Sequence, residues 1–474
     1  MTEPRRYAFV GTGHRAELYF TALLQTHTDV GSPVALCDVN GTRMGYYNEL
    51  WSTARPGAEP LPTYHASEFD LLLERERPDA VVVTTIDATH HHYVCSALDR
   101  GVHVVVEKPL TTDAAGCRAI AAAAERSDAE LVVTFNYRYA PRNSKVKELL
   151  AERVIGEVTS VHFEWLLDTV HGADYFRRWH RDKSRSGGLL VHKSSHHFDL
   201  VNWWLDAVPD TVFAFGHLRF YGRENAGARG LGPRHHRSHG AAEATSDPFA
   251  IDLAASHRLR RLYLDAEHED GYLRDLDVFG EGITIEDNMA LLVRYADRAL
   301  LTYSLNAHAP WEGYRVAFNG TAGRLELDVC ERSWVRPAGT EGVVGRGAVG
   351  GRPVIDPTAG GADGSDGGPG GAAPDEERAP RRPGTRLILQ RHWEPARRIH
   401  GAEGEGGHGG HGGGDALLLD DVFRRTAADP LGRRAGYLDG IRSVLVGAAA
   451  NRSIATGEPV RLADFGLPLG AEVG

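Results

Sequence analysis

The chain has 474 residues, of which 42% are hydrophobic and 25% charged. That is too long for one compact core and suggests a globular protein of two domains. Its net charge of −11 argues against a nucleic-acid binder or a polybasic membrane surface. No apolar run approaches the roughly 20 residues of a membrane span. Cys37, Cys95, Cys117 and Cys330 form no CxxC pair, so neither a disulfide framework nor a zinc knuckle is expected. MTEPRRYAFVGTG runs into an apolar strand without a signal-peptide h-region, and the expected location is the cytoplasm.

Short apolar runs open the chain: YAFVG (7–11), PVALCD (33–38), AVVVTT (80–85), VHVVVEKP (102–109) and ELVVTFN (130–136). Segments with helix-like spacing lie between or beside them. Strands apolar on both faces and alternating with helices predict a doubly wound parallel sheet. After about residue 150 alternating strands dominate, in EVTSVHFEWLL, TVFAFGHLRFY, MALLVRYA, ALLTYSLNAH and YRVAFNG. The fold class is therefore α/β. A Rossmann domain is expected over 1–140, and an α+β domain with an open, mainly antiparallel sheet over 141–474. One helical segment from about Gly188 to Leu205 interrupts the strands, and another occupies about 415–450. Residues 221–248 look inserted. Residues 336–381 contain GGADGSDGGPGGAAPDEE, which is too poor in apolar groups to order itself and reads as a disordered surface loop. The histidine-containing glycine-rich piece at 403–415 precedes the last helical pattern.

VGTGHRAELY supplies Gly11, Gly13 and Ala16 in the G-x-G-x-x-A form of the dinucleotide fingerprint, with Thr12, His14 and Arg15 between them. The first glycine permits a tight turn, the second lets backbone amides approach a pyrophosphate at a helix N-terminus, and the alanine packs that helix on the strand. Asp38 ends the next strand, where a carboxylate accepts hydrogen bonds from both ribose hydroxyls and repels a 2′-phosphate. This favours NAD over NADP. The alternative for Asp38 is a helix N-cap, since Asn-Gly-Thr-Arg follows.

VHKSSHHFDL (191–200) gathers His192, Lys193, His196 and His197. On a continuous helix His192 and His196 share a face with Asp199. A zinc-protease helix would carry glutamate where Lys193 stands, so no metal site is expected. AEHEDGY (266–272) offers carboxylates but no second ligand cluster.

VGTGHR, CDVN, TTIDATH, EKPL, NYRYAP and GGLLVHKSSHHFDLVNWWL occur in the order found in Gfo/Idh/MocA-type oxidoreductases. The chain resembles that family over about 1–335 and again from about 415. The resemblance implies a bound nicotinamide nucleotide and a second domain whose sheet often mediates assembly, here as a homodimer or homotetramer. It implies that Lys108 of Glu107-Lys108-Pro109 reaches the reacting hydroxyl, and that Glu107 shapes the nicotinamide pocket. Laid on the family helix G-G-x-L-x-D-x-G-x-H-x-x-D, His196 falls on the histidine and becomes the expected general base. His192 replaces the aspartate one turn before it. Thr85 and His90 of TTIDATH match the family's T-P-x-x-x-H turn and are expected to contact the cofactor, although Ile86 replaces the usual proline. Asn136 and Arg138 are expected to touch cofactor or substrate. Tyr175 and Trp179 in DTVHGADYFRRWHR suit a pyranose, though that stretch reads equally as a charged surface loop. Lys193 and His197 either reach substrate hydroxyls or face a partner element.

The leading function is an NAD-dependent dehydrogenase of a sugar, glycoside or cyclitol. The alternatives are a glycosidase that retains NAD and works by transient oxidation and elimination, and a non-catalytic sugar or nucleotide sensor. Deleting 356–376 is expected to leave folding and cofactor binding nearly unchanged, because the stretch has almost no apolar side chains to bury. Cooperative loss of structure in a thermal melt of that variant would instead mark the segment as an interface.

Overall fold

The computed structural model describes residues 3–232, 234–335, 381–401, 413–425, 428–467 and 469–470, together with the backbone of two short strands at 348–349 and 352–353. Apart from those two strands, residues 336–380 and 402–412 lie outside the described residues. The expected surface loop and most of the glycine-rich piece before the C-terminal helices fall there.

Near the N-terminus, β1 (Arg5–Val10), β2 (Gly31–Asp38), β3 (Thr63–His65), β4 (Ala80–Val83), β5 (His103–Val106) and β6 (Leu131–Val133) form a sheet in the order β3-β2-β1-β4-β5-β6. Every pair is parallel. Helices α1 (Ala16–Gln25) and α2 (Gly41–Ala54) pack on one face with Phe9, Leu36 and Val82. Helices α3 (Phe69–Glu76), α4 (His90–Leu98) and α5 (Ala114–Glu125) pack on the other with Ala8, Val81 and Val83. Burial on both faces explains why these strands read as continuous apolar runs. The strand order reverses between β1 and β4, and ligands bind at the carboxyl ends of strands beside such a reversal.

Helix α6 (Pro141–Ala151) leads into a second sheet. Its strands are β7 (Val158–Asp168), β8 (Pro209–His217), β9 (Asn288–Tyr295), β10 (Leu300–Ala309), β11 (Glu312–Gly320), β12 (Gly323–Arg332), β13 (Gly384–Arg391), β14 (Arg397–Ile399) and β15 (Val460–Arg461). They lie in the order β14-β13-β12-β11-β7-β10-β9-β8-β15. Only β7 and β10 run parallel; the other pairs are antiparallel. Burial alternates along β9, β10 and β12. One face is thus covered, by the helices Ser195–Leu205 and Tyr437–Thr456, and the other carries exposed Phe215, Leu292 and Leu300. No described helix is long and apolar enough to cross a membrane.

Three features differ from the sequence reading. The segment Gly188–Leu205 is not one helix but two, Leu189–His192 and Ser195–Leu205, joined by a turn at Lys193–Ser194. The Ser194 amide bonds to the Leu189 carbonyl at 2.8 Å, one residue wider than the α spacing. Strands β12 and β13 were not marked from sequence, although β12 alternates cleanly. The insertion between β8 and β9 is also larger than 221–248. Its residues Ile251, Leu253, Leu259, Leu262 and Tyr263 pack in the same cluster as Tyr19 and Tyr47 of the first domain, so this part of the second half is anchored on the first.

A buried ion pair ties the two halves together. Arg138, just after β6, donates from Nε to Asp199 Oδ2 at 2.8 Å and from Nη2 to Oδ1 at 2.5 Å. It also reaches the Gly432 carbonyl at 3.2 Å. Arg138 keeps a second carboxylate, Asp439 Oδ1 at 3.2 Å, whereas Asp199 has no other cation among the described ion pairs. Leaving a buried charge unpaired typically costs about 3–5 kcal/mol. Arg138→Met is therefore expected to lower the urea midpoint by that equivalent, and Asp199→Ala by less because Asp439 still meets the guanidinium. Arg138→Met/Asp199→Leu should recover most of the larger loss. A double variant as unstable as Arg138→Met would show that packing, not charge, dominates here.

Candidate active site

The cleft starts at the turn after β1. Gly11 has φ +85°, and a Cβ there would lie 2.6 Å from the Thr85 amide nitrogen. Only glycine lets the loops after β1 and β4 approach so closely. The Thr84 hydroxyl donates to the Gly11 carbonyl at 2.6 Å. A Cβ on Gly13 would meet nothing closer than the Tyr263 hydroxyl at 4.0 Å, and α1 starts without a side-chain cap. Open space over an uncapped helix start, bounded by an obligatory glycine, suits a pyrophosphate.

Asp38 closes the far end of this cradle. Its Oδ2 accepts the Thr12 amide at 2.5 Å and the Thr12 hydroxyl at 3.0 Å. Its Oδ1 accepts the Asn40 amide at 3.0 Å and Arg43 at 3.3 Å. The cap of α2 is Asn40, whose side chain takes the Arg43 amide at 3.1 Å, so Asp38 is not the N-cap. The inserted segment adds Asp270, paired with Arg43, and Glu269, which accepts the Thr42 amide at 2.8 Å. Tyr263 of the same segment accepts the His14 amide at 3.2 Å.

Glu107 at the end of β5 is fixed by the Tyr19 hydroxyl and by Arg15 Nε, each at 2.6 Å. The His90 ring lies between the Pro109 carbonyl at 2.9 Å and the Thr85 carbonyl at 3.1 Å, which joins the turn carrying Lys108 to the loop after β4. Lys108 Nζ donates to the His192 carbonyl at 3.4 Å. Burial pulls its ammonium below the usual lysine range, against the opposing pull of Glu107 and Asp87.

His192 Nδ1 lies 2.5 Å from Asp87 Oδ2. The carboxylate comes from the loop after β4 and the imidazole from the second half of the chain, so the pair exists only when the two halves are packed. Burial, with Lys108 and His180 nearby, holds His192 well below 6.5. Burial also pushes Asp87 up, while Lys108 works against that shift. With Asp87 ionised beside Lys108, a neutral imidazole in this geometry donates Nδ1–H to Asp87 and presents Nε2 as an acceptor. The His180 ring stands edge-on to His192 with centroids 4.1 Å apart, and stacks on Trp179 at 3.7 Å.

Behind the pocket wall, His171 Nε2 meets the Tyr175 hydroxyl at 3.0 Å and His171 Nδ1 meets Glu312 at 2.5 Å. Glu312 pairs with Arg332, which reaches Asp168 at 2.6 Å. Burial opposes the charge on Glu312, but Arg332 and His171 hold its carboxyl at about 2. Lys193 Nζ donates to the Tyr137 hydroxyl at 3.2 Å and lies 5.0 Å from the Trp165 ring centre. Burial brings Lys193 down to about 7.

The result is one cleft of about 380 Å³ running from Gly11 and Asp38 to Lys108, Trp179, His192 and His196. Tyr175, Thr85, His90 and Lys193 also line it, together with His14, Arg15 and Glu107. Three residues expected at the site are engaged elsewhere. Asn136 donates to Asp415 at 2.6 Å, and Arg138 is the ion-pair partner of Asp199. His197 stacks on Trp165 at 3.9 Å, with Nδ1 on the Tyr303 hydroxyl at 2.7 Å. One residue turns a helix by 100°, so His197 faces the sheet where His196 faces the cleft. Asp87, Arg43, Tyr263 and Asp270 were missed. Asp87 sits in the TTIDATH turn, and an acid four residues past a parallel strand was a usable signal; Tyr263 and Asp270 carried none. Elsewhere among the described residues, His235, Asp247 and Asp277 come together closely enough to hold an ion. The Arg234 guanidinium already bonds both carboxylates at 2.6 Å and fills the cation's place.

Residues 5–135 match the family model described as oxidoreductase family, NAD-binding Rossmann fold, and residues 147–339 match that family's C-terminal alpha/beta domain. A Bacillus subtilis (strain 168) protein named as an oxidoreductase, YteT, is 34% identical over 336 residues, 68% of this chain and 76% of its own. Inositol 2-dehydrogenase of Rubrobacter xylanophilus is 28% identical over 189 residues, 39% of this chain and 47% of that protein. The crystal structure of an oxidoreductase domain protein from Kribbella flavida superposes with a TM-score of 0.62, covering 98% of this chain and 100% of that one, at 17% identity. That last likeness is one of fold. With both domains matched and a relative at that identity spanned over three quarters of its length, the chain belongs to the Gfo/Idh/MocA family of oxidoreductases.

Proposed function

We propose that the protein oxidises a secondary alcohol of a sugar, glycoside or cyclitol, or reduces the matching ketone, with NAD as its redox partner. The observation that carries this reading is the meeting of Lys108 with the Asp87–His192 pair in the cleft that begins at Gly11 and Asp38. When bound, the nicotinamide supplies the hydride acceptor or donor. His192 Nε2 takes the hydroxyl proton, and Asp87 orients the ring and offsets the imidazolium that forms. Lys108 stabilises the developing alkoxide. His196 and Tyr175 offer hydrogen bonds to other hydroxyls, and Trp179 offers a face for a sugar ring. The base role thus moves from His196 to His192, because the buried carboxylate lies on His192.

Asp38 supports NAD over NADP through its charge at the ribose end. Similarity to an inositol dehydrogenase supports a polyhydroxylated substrate. Phe215, Leu292 and Leu300 on the uncovered sheet face support assembly as a homodimer or homotetramer through that face.

Incubating the purified protein with NAD and a panel of sugars, glycosides and cyclitols should yield NADH with at least one of them. Release of aglycone without net NADH would identify the elimination chemistry instead. His192→Ala and Lys108→Ala should each lower turnover by roughly 10²-fold or more and leave NAD binding intact. Their double variant should be little worse than the poorer single one.

Oxidation should also show an acid limb below pH 6.5, because His192 must lose its proton to act. Asp87→Asn removes the counter-charge of the imidazolium, so it should lower activity and move that limb to still lower pH. A limb that ignores Asp87→Asn but shifts in His196→Ala would return the base role to His196.

Asp38→Ala should weaken NAD binding roughly tenfold or more, the scale of hydrogen bonds to a charged group, and should relax discrimination against NADP. An unchanged NAD preference measured by calorimetry would remove Asp38 from the ribose site.

A further inference from the structure

We infer that Asp270, delivered from the segment inserted between β8 and β9, is a nucleotide-specificity residue that holds Arg43 away from a 2′-phosphate. The inference rests on the reading that the ribose of the cofactor lies at Asp38. Arg43 stands one turn into α2, where an arginine beside the ribose ordinarily accommodates the phosphate of NADP. Here its guanidinium is buried between two carboxylates, with Asp38 at 3.3 Å and Asp270 in closer contact. Burial opposes the charge on Arg43, but Asp38 and Asp270 more than offset it and hold the group above its ordinary value. One cation between two anions leaves the ribose end net negative.

The position of Asp270 is built rather than incidental. On its N-terminal side, Asn40 donates to the Ala266 carbonyl at 2.9 Å and Glu269 accepts the Thr42 amide at 2.8 Å. On its C-terminal side, the Tyr272 amide donates back to Asp270 Oδ1 at 3.0 Å. Gly271, with φ +68°, ends the short helix directly after Asp270. These contacts fix the carboxylate over α2.

The hydrogen bonds at Asp38 explain how this arrangement would respond to the two nucleotides. Asp38 accepts four donors, from Thr12 N–H, Thr12 O–H, Asn40 N–H and Arg43. A carboxylate has about four acceptor positions, so each ribose hydroxyl that bonds Asp38 must displace a donor. Arg43 is the longest of the four at 3.3 Å and is the donor with a second anion to hold it. A ribose hydroxyl can therefore replace Arg43 on Asp38 while Asp270 retains the guanidinium. A 2′-phosphate finds that guanidinium already neutralised and two carboxylates beside it. Without Asp270, Arg43 keeps only the longer contact to Asp38 and can turn to form charge-assisted bonds to the phosphate.

The test is calorimetric titration of the purified full chain with NAD and, separately, NADP, without substrate. Asp270→Asn should tighten NADP binding roughly tenfold, the effect of about 1.4 kcal/mol, and should weaken NAD rather than tighten it, because Asp38 alone then holds Arg43. Asp270→Ser should do the same, which guards against a folding defect peculiar to one variant. Adding Arg43→Met to Asp270→Asn should abolish the gain. An unchanged ratio of the two Kd values alongside tight NAD binding would overturn the inference alone, as would equal weakening of both nucleotides. A gain that survives Arg43→Met would also overturn it. Failure of the wild type to bind either nucleotide would overturn the cofactor reading and this inference together.

Discussion

The hydrogen bond between Asp87 and His192 is the contact on which the proposed chemistry depends. Its carboxylate hangs from the carboxyl end of β4, and its imidazole ends the short helix Leu189–His192 in the second half of the chain. Neither half can make it alone. The Arg138–Asp199 pair and the packing of Leu259, Leu262 and Tyr263 against the first domain hold the two halves in register. The turn at Lys193–Ser194 then allows His192 to face Asp87 and His196 to line the same cleft, while His197 is buried against Trp165.

Burial sets the electrostatics of that cleft. Lys108, Lys193, His180 and His192 are all held below their ordinary values, and in each case desolvation is the largest cause. The nearby cations reinforce one another in this direction. A neutral imidazole and an ammonium side by side are what alcohol oxidation needs, one to take the proton and one to meet the negative oxygen. Fixed dipoles and charges in a buried site do this without the reorganisation that water would require. At the opposite end Arg43 is neutralised by two carboxylates, so the cleft is electrostatically divided along its length.

Local pattern carried most of the fold. Doubly buried strands such as AVVV and HVVV, the glycines at 11 and 13, and the acid ending β2 each announce themselves within a few residues. The alternation of β9 and β10 did the same for the second sheet. What escaped was whatever depends on distant segments meeting. Asp87 was passed over because its partner lies 105 residues away, and the spacing of the histidines drew attention to His196 instead. Assuming an unbroken helix from Gly188 to Leu205 put Asp199 on the face of His192 and His196. The wider bond from Ser194 to Leu189 interrupts the helix; both histidines still line the cleft, while Asp199 pairs with Arg138. Arg138 and Asn136 looked like ligands because they follow a strand at the cleft edge. Their actual partners, Asp199 and Asp415, come from helices of the other domain. Asp270 sits in an acidic stretch that suggested only a weak metal site, since nothing local connects it to an arginine 227 residues earlier.

The protonation state of His192 can be read directly from the ring nitrogens by 15N NMR on protein labelled at histidine, with His192→Gln used to assign the signal. At neutral pH the ring should be neutral, protonated at Nδ1 and bare at Nε2, and it should titrate below 6.5. Asp87→Asn should move that titration further down. A ring protonated at Nε2, or one that stays an imidazolium above pH 6.5, would contradict the assignment of His192 as the proton acceptor.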